Sequence, residues 1–188
     1  MLTEFVATYG LWAIFITMLL ESAMIPIPSE IVVPLGGFFA AKGAFSLWTV
    51  VWVSSVANLI GSLLAYYLGK FARPYFPHFM EDHLELAEIF FKKHGNWAIL
   101  TGRMLPAVRT FMSMPAGLAH TPIIPFTILT FLGSVPWNFL MAWLGFTLAE
   151  NWTLVHHYGT YVLIGLIAIC LPIGIYVLKN ARKIIEWL

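Results

Sequence analysis

The sequence predicts an all-α integral membrane protein. Of its 188 residues, 60% are hydrophobic and only 10% charged, with a mean hydropathy of +0.84. A soluble domain is normally about a quarter charged. Apolar stretches of about 20 residues recur, the length that crosses a hydrocarbon core of about 30 Å as a helix. Two other long apolar stretches are interrupted by prolines and charges, which marks a helical membrane protein with broken elements.

The first region, 11–43, holds Glu21, Pro26, Pro28, Glu30 and Pro34. Proline disfavours helix at the residue before it, and each half is too short to span at about 1.5 Å rise per residue. A re-entrant helical hairpin is expected, entering and leaving on one side. The stretch before it, Met1-Leu2-Thr3-Glu4, lacks the basic start and Ala-x-Ala site of a cleaved signal, so the first apolar segment is expected to stay in the mature protein. Residues 47–68 form an ordinary span, followed by Lys70 and Arg73. Residues 71–94 mix Glu81, Asp82, Glu85, Glu88, Lys92 and Lys93 with Phe79, Leu84, Leu86, Phe90 and Phe91, the composition of an amphipathic linker helix in the interface. A plain connecting helix fits the same residues.

The second broken region, 97–120, holds Arg103, Pro106, Arg109 and Pro115 and is expected to be a second hairpin. A span at 125–148 follows, with Pro136 as an expected kink. A C-terminal span at 161–178 precedes Lys179, Arg182 and Lys183. Irregular backbone at membrane depth is tolerated only where protein or a water-filled cavity surrounds it, so the hairpin tips should face each other.

The halves resemble one another. Tyr9-Gly10-Leu11-Trp12-Ala13-Ile14 matches His94-Gly95-Asn96-Trp97-Ala98-Ile99, Pro34-Leu35-Gly36 matches Pro115-Ala116-Gly117, and Tyr67-Leu68-Gly69 echoes Trp143-Leu144-Gly145. The expected organisation is one membrane domain over 1–188, with repeats at 10–69 and 95–149. Each unit of hairpin plus span crosses once, so the two copies are inverted, the common plan of secondary transporters. Lys70, Arg73, Lys92, Lys93, Lys179, Arg182 and Lys183 fall on one side and Lys42 on the other. The positive-inside rule then places linker and C-terminus in the cytoplasm and the N-terminus outside.

Charged side chains within apolar segments are costly, about 2.5–3.5 kcal/mol each on insertion scales, and are usually functional and paired. Arg103 and Arg109 lie six residues apart, Glu21 and Glu30 nine apart, and each pair is separated by proline. Neither pair suits one face of a continuous helix; both suit a hairpin tip. The expectation is two arginines from one tip meeting two acids from the other near the midplane, with Pro26, Pro28, Pro106 and Gly117 shaping the backbone. One reading is an ion-pair network that ties the hairpins together. Against it, buried ion pairs stabilise poorly compared with apolar packing. The other is a phosphate site, because guanidinium presents a permanently charged planar fork to phosphate oxygens. Protonation of Glu21 or Glu30 could then switch the pairing.

Other residues weigh less. Asn58 and Asn138 read as hydrogen-bonding across helices before they read as substrate ligands. His120 follows the second hairpin, and His156-His157 lies at an outer turn with too few ligands nearby for a metal. Trp12, Trp48, Trp97 and Trp152 suit interfacial anchoring, and Gly61, Gly69 and Gly133 close helix packing. The single cysteine, Cys170, forms no intrachain disulfide. A net charge of +1 without a basic stripe argues against nucleic acid as a partner. No metal and no cofactor is called for, and association into a homo-oligomer is left open.

At Glu21 with Pro26-Ile27-Pro28-Ser29-Glu30, at Gly102-Arg103-Met104-Leu105-Pro106-Ala107-Val108-Arg109-Thr110, and at Gly117, the chain resembles the DedA family, the SNARE-associated or VTT-domain superfamily. The likeness covers nearly the whole chain; Glu30 stands where relatives can carry aspartate. It implies lipid translocation in the bacterial cytoplasmic membrane: undecaprenyl phosphate for some members, phosphatidylethanolamine or other phospholipids for others, with proton coupling suggested for some. The family's essential arginines and acids fall on Arg103, Arg109, Glu21 and Glu30. A lipid phosphatase would need a nucleophile and a base, and the Ser-Gly-His pattern of histidine-type membrane phosphatases is absent. A structural or assembly protein would leave the charges as scaffolding.

Overall fold

A computed structural model describes residues 8–25, 27–72, 89, 91, 93, 95, 97–100, 102, 103, 109 and 112–149. The chain divides into two units, Met1–Ala149 and Glu150–Leu188. All described residues belong to the first. The expected C-terminal span at 161–178, His156-His157, Trp152, Cys170 and most of the 71–94 linker lie outside them, as do Pro26 and Pro106.

The described elements are helical. Helices α1 (Leu11–Ser22) and α2 (Ser29–Ala41) are joined by a short turn, and α3 (Leu47–Ala72) follows. Residues 97–100, 102 and 103 are helical. Then come α4 (Ser113–Leu118) and α5 (Ile123–Thr147).

Among the described residues, two helices are long and apolar enough to cross a membrane, over Leu47–Phe71 and Ile123–Thr147. At about 1.5 Å per residue, the 26 residues of α3 reach roughly 39 Å. The 12 and 13 residues of α1 and α2 reach only roughly 18 and 20 Å, short of the hydrocarbon thickness. The spans begin and end within a few residues of the expected 47–68 and 125–148.

Local chemistry explains where α1 and α2 stop. Met24 adopts a left-handed φ of 76°, and the Ile25 N–H reaches back to the Leu20 carbonyl. The end of α2 repeats the motif: Gly43 has φ 80° and the Ala44 N–H bonds to the Phe39 carbonyl. Both are Schellman-type closures that use orphan carbonyls. Pro28 caps the start of α2, where a proline fits because the first N–H groups of a helix lack partners anyway. Pro34 and Pro136 do not end their helices, since α2 and α5 run through them.

The bundle keeps an apolar core but also exposes apolar faces and buries polar stripes. On α3, Trp48, Trp52, Val56, Ile60, Leu64 and Leu68 form an exposed apolar stripe, while Ser54, Ser55, Asn58 and Ser62 are buried. On α5, Ile124, Ile128, Leu132, Leu140 and Trp143 are exposed, with Thr130, Ser134 and Asn138 buried. Each span thus carries a buried polar stripe at i, i+4 and i+8: 54, 58 and 62 on α3, 130, 134 and 138 on α5. Lipid offers apolar side chains no penalty for exposure, so hydrogen bonding and close packing decide which face turns inward.

Helix α1 packs on α3, α2 on α5, α4 on α3, and α3 on α5. Glycine sets these approaches. A Cβ at Gly37 would overlap the Ala142 carbonyl oxygen, and one at Gly145 the Pro34 carbonyl oxygen, joining α2 to α5. One at Gly117 would overlap the Tyr66 carbonyl oxygen, and one at Gly69 the Met114 carbonyl oxygen, joining α4 to α3. Gly61 meets the Leu19 carbonyl, and Gly133 meets Arg103 Cβ at 2.7 Å. The expected packing roles of Gly61, Gly69 and Gly133 are therefore present.

Candidate functional site

The buried polar stripes converge on the two arginines. Arg103 and Arg109 are 4% and 5% exposed, and Glu21 is 6% exposed. Each is held differently.

Glu21 sits in the last turn of α1, the end where a helix dipole disfavours negative charge. Its partner compensates: Arg109 Nη2 lies 2.9 Å from Glu21 Oε1 as a buried ion pair. Arg109 Nη2 also donates to Ser29 Oγ in the first turn of α2. One guanidinium therefore ties the end of α1 to the start of α2. The Trp137 ring of α5 lies 5.4 Å from its Cζ, in cation–π range.

Arg103 pairs with no carboxylate among the described residues. Nη1 donates to Ser62 Oγ at 2.9 Å and to the Arg109 backbone carbonyl at 3.0 Å; Nη2 donates to Ser113 Oγ at 2.6 Å. Its Cζ lies 5.6 Å from the Phe126 ring. Three neutral acceptors and a ring face hold it between α3, α4 and α5.

A chain of side-chain hydrogen bonds runs alongside. Ser22 Oγ donates to Asn58 Oδ1 at 2.9 Å, Asn58 Nδ2 reaches Asn138 Oδ1 at a long 3.5 Å, and Asn138 Nδ2 donates to Ser55 Oγ at 3.0 Å. Asn58 and Asn138 thus bridge helices, as their positions in the spans suggested. Glu21, Ser22, Asn58, Arg103, Arg109 and Ser134 enclose a small cavity of about 10 Å³, close to what one water needs. Two guanidinium groups and one carboxylate line it. Several buried polar atoms have no partner among the described residues: Arg103 Nε, Arg109 Nε, Trp137 Nε1, Glu21 Oε2 and Thr130 Oγ1.

Three of the four charged residues singled out in the sequence therefore meet: Glu21, Arg103 and Arg109. Glu30 does not pair with either arginine; it lies half-buried in the first turn of α2, beside Ser29. Gly117 serves the α4–α3 contact rather than the cavity. Pro28 caps α2 next to Ser29. His120 is exposed at the turn after α4, with a left-handed φ of 51°, and does not line the cavity. Sequence reasoning passed over Ser22, Ser29, Ser62, Ser113 and Ser134. The polar i, i+4 spacing of 54/58/62 and 130/134/138 was the available signal for two of them.

The VTT domain profile matches residues 27–147. The chain belongs to the DedA family of VTT-domain membrane proteins. Undecaprenyl phosphate transporter A of Staphylococcus aureus is 30% identical, over 96% of this chain and 97% of its own length. An alkaline phosphatase-like protein of Lactococcus lactis is 27% identical, over 78% of this chain and 74% of its own. Protein DedA of Escherichia coli is 25% identical, over 77% of this chain and 73% of its own. No solved structure gives a significant match. The matched region runs from the turn before α2 to the end of α5 and so contains both arginines.

Proposed function

We propose that this DedA-family protein moves a phosphate-headed lipid between membrane leaflets, with a polyprenyl phosphate of the undecaprenyl type as substrate. The observation that carries the reading is the buried cavity lined by two guanidinium groups against one carboxylate. A phosphate complements the surplus charge, and its hydrocarbon tail stays in lipid. The name of the Staphylococcus aureus relative favours the polyprenyl phosphate over a phospholipid. The cavity is too small for a phosphate as it stands, so transport requires the hairpins to move apart and re-close.

An inverted repeat would supply such a movement. The reciprocal glycine contacts support it: α2 meets α5 through Gly37 and Gly145 as α4 meets α3 through Gly117 and Gly69. That pairing sets Gly37 opposite Gly117, one residue out of the register that aligns Pro34-Leu35-Gly36 with Pro115-Ala116-Gly117. Gly10 and Gly95 share a left-handed φ of 55° and 52° ahead of exposed Trp12 and Trp97, a second parallel between the halves. In this reading 11–43 and 97–120 are re-entrant hairpins, the C-terminus is cytoplasmic, and Glu21 and Glu30 carry the proton coupling. The protein acts as a transporter and not as an enzyme.

The test is reconstitution. Purified protein in liposomes receives a labelled polyprenyl phosphate or, separately, labelled phosphatidylethanolamine, and leaflet exchange is measured. Wild type should exchange the polyprenyl phosphate and Arg103→Ala should lose roughly 10- to 100-fold, the range for a hydrogen bond to a charged group. Dissipating a pH gradient should slow wild-type exchange. No exchange of either lipid overturns the proposal, exchange of phosphatidylethanolamine alone replaces its substrate, and release of inorganic phosphate points to an enzyme.

A further inference from the structure

The two arginines line one cavity but are bonded differently. Arg109 meets a carboxylate: its Nη2 is divided between Glu21 Oε1 and Ser29 Oγ. Among the described residues Arg103 bonds only to Ser62, Ser113 and a backbone carbonyl, all neutral oxygens. In a medium of low dielectric an uncompensated charge is far more costly than a compensated one, and it attracts a counter-ion correspondingly strongly. Arg109 Nε, like Arg103 Nε, is buried without a partner among the described residues, so it is the charge balance and not the hydrogen-bond count that separates the two; the count shows which edge of Arg103 is left to bind an anion. Of the five N–H groups of Arg103, two on Nη1 and one on Nη2 are used. The Nε–H and one Nη2 hydrogen remain, and Nε is buried without a partner among the described residues. Nε and Nη2 form one edge of the guanidinium fork, the edge that grips two oxygens of one phosphate.

We propose that Arg103 alone is the standing receptor for the phosphate, whereas Arg109 is a positioning residue whose task is to neutralise Glu21 at the cavity wall. This rests on the phosphate-lipid reading above. Ser62 and Ser113 complete the receptor: they fix the guanidinium plane without cancelling its charge, which a carboxylate at either position would do. The division predicts an asymmetry that a symmetric two-arginine clamp does not. Loss of Arg109 exposes the cavity to an unpaired carboxylate that repels an anion, and removing that carboxylate cures the defect. Loss of Arg103 removes the receptor, and no change at Glu21 restores it.

The experiment measures binding of farnesyl phosphate, a short polyprenyl monophosphate, to the full-length protein in detergent by calorimetry. Arg103→Lys and Arg103→Ala should each weaken binding roughly 10- to 100-fold, the lysine variant because it lacks the fork. Arg109→Ala should weaken it by a similar factor, and Arg109→Ala with Glu21→Gln should return it to within about threefold of wild type. Arg103→Ala with Glu21→Gln should stay weak. Glu21→Gln alone, which raises the charge surplus, should bind more tightly than wild type. This comparison keeps the test sharp if Arg109→Ala fails to fold. Failure of Glu21→Gln to rescue Arg109→Ala, or equal rescue of Arg103→Ala, overturns the division of roles and leaves the phosphate reading standing. Absence of wild-type binding overturns both.

Discussion

Replacing Gly117 by alanine should separate α4 from α3. The added Cβ would overlap the Tyr66 carbonyl oxygen and approach the Lys70 backbone nitrogen at 3.1 Å. Both are backbone atoms of a continuous helix, so no side-chain rotation relieves the clash. Gly37→Ala meets the Ala142 carbonyl oxygen and the Phe146 backbone nitrogen in the same way. Overpacking of this kind costs about 1–3 kcal/mol. At about 2–4 °C per kcal/mol for a chain of this size, each variant should lower Tm by roughly 2–12 °C. Gly36 provides the comparison. Its added Cβ meets only Val50 Cγ1 at 2.7 Å and Ile14 Cδ1 at 2.8 Å, side-chain methyls that can shift. The assay is thermal unfolding of the purified protein in detergent, read by the fluorescence of its 8 tryptophans. If Gly37→Ala and Gly117→Ala melt no lower than Gly36→Ala, the helices do not approach through these glycines, and the parallel between the halves loses its main support.

Glu21→Gln leaves the buried Arg109 unpaired and should destabilise by about 3–5 kcal/mol, seen as a lower Tm that saturating farnesyl phosphate partly restores. Asn138→Ala breaks the bridge between α3 and α5 and should cost only about 0.6 kcal/mol, at most about 1.7, on a denaturation curve, because partners are exchanged readily in membranes. Ser113→Asp, which sets a carboxylate against Arg103 Nη2, should cut lipid exchange in liposomes by at least about tenfold, whereas Ser113→Thr should retain it. His120→Gly relieves the left-handed φ of 51°, which costs a side-chain-bearing residue about 1–2 kcal/mol, and should leave exchange rates unchanged with Tm equal or higher.

Much of the fold was legible because lipid simplifies the physics. Runs of apolar residues of the right length became α3 and α5, and Pro28, between Glu21 and Glu30, stands at the start of α2. Boundary details were less legible. Pro34 reads as part of a broken region, yet α2 runs through it; Pro136 reads as a kink within a span, and α5 does run through it. At the site, charge stood out against an apolar background, so Glu21, Arg103 and Arg109 were visible at once. The serines were not. A lone serine in a span is common and cheap, and only its bond to a particular guanidinium gives it a role. Glu30 shows the opposite failure: an acid as conspicuous as Glu21 in the sequence makes no ion pair with either arginine, because Ser29, one residue earlier, occupies the position facing Arg109.

The sequence by itself determined that this is a helical membrane protein of the DedA family and that buried charge lies at its centre. Composition and span length follow from the solvent, and the arginine–proline run is local in the chain. Which arginine meets the acid was decided only in three dimensions. Glu21 and Arg109 are 88 residues apart, Arg103 and Ser62 are 41 apart, and no local pattern links them. The glycine contacts between α2 and α5 and between α4 and α3 bring these groups to one cavity, and the partners found there set a compensated charge beside an uncompensated one.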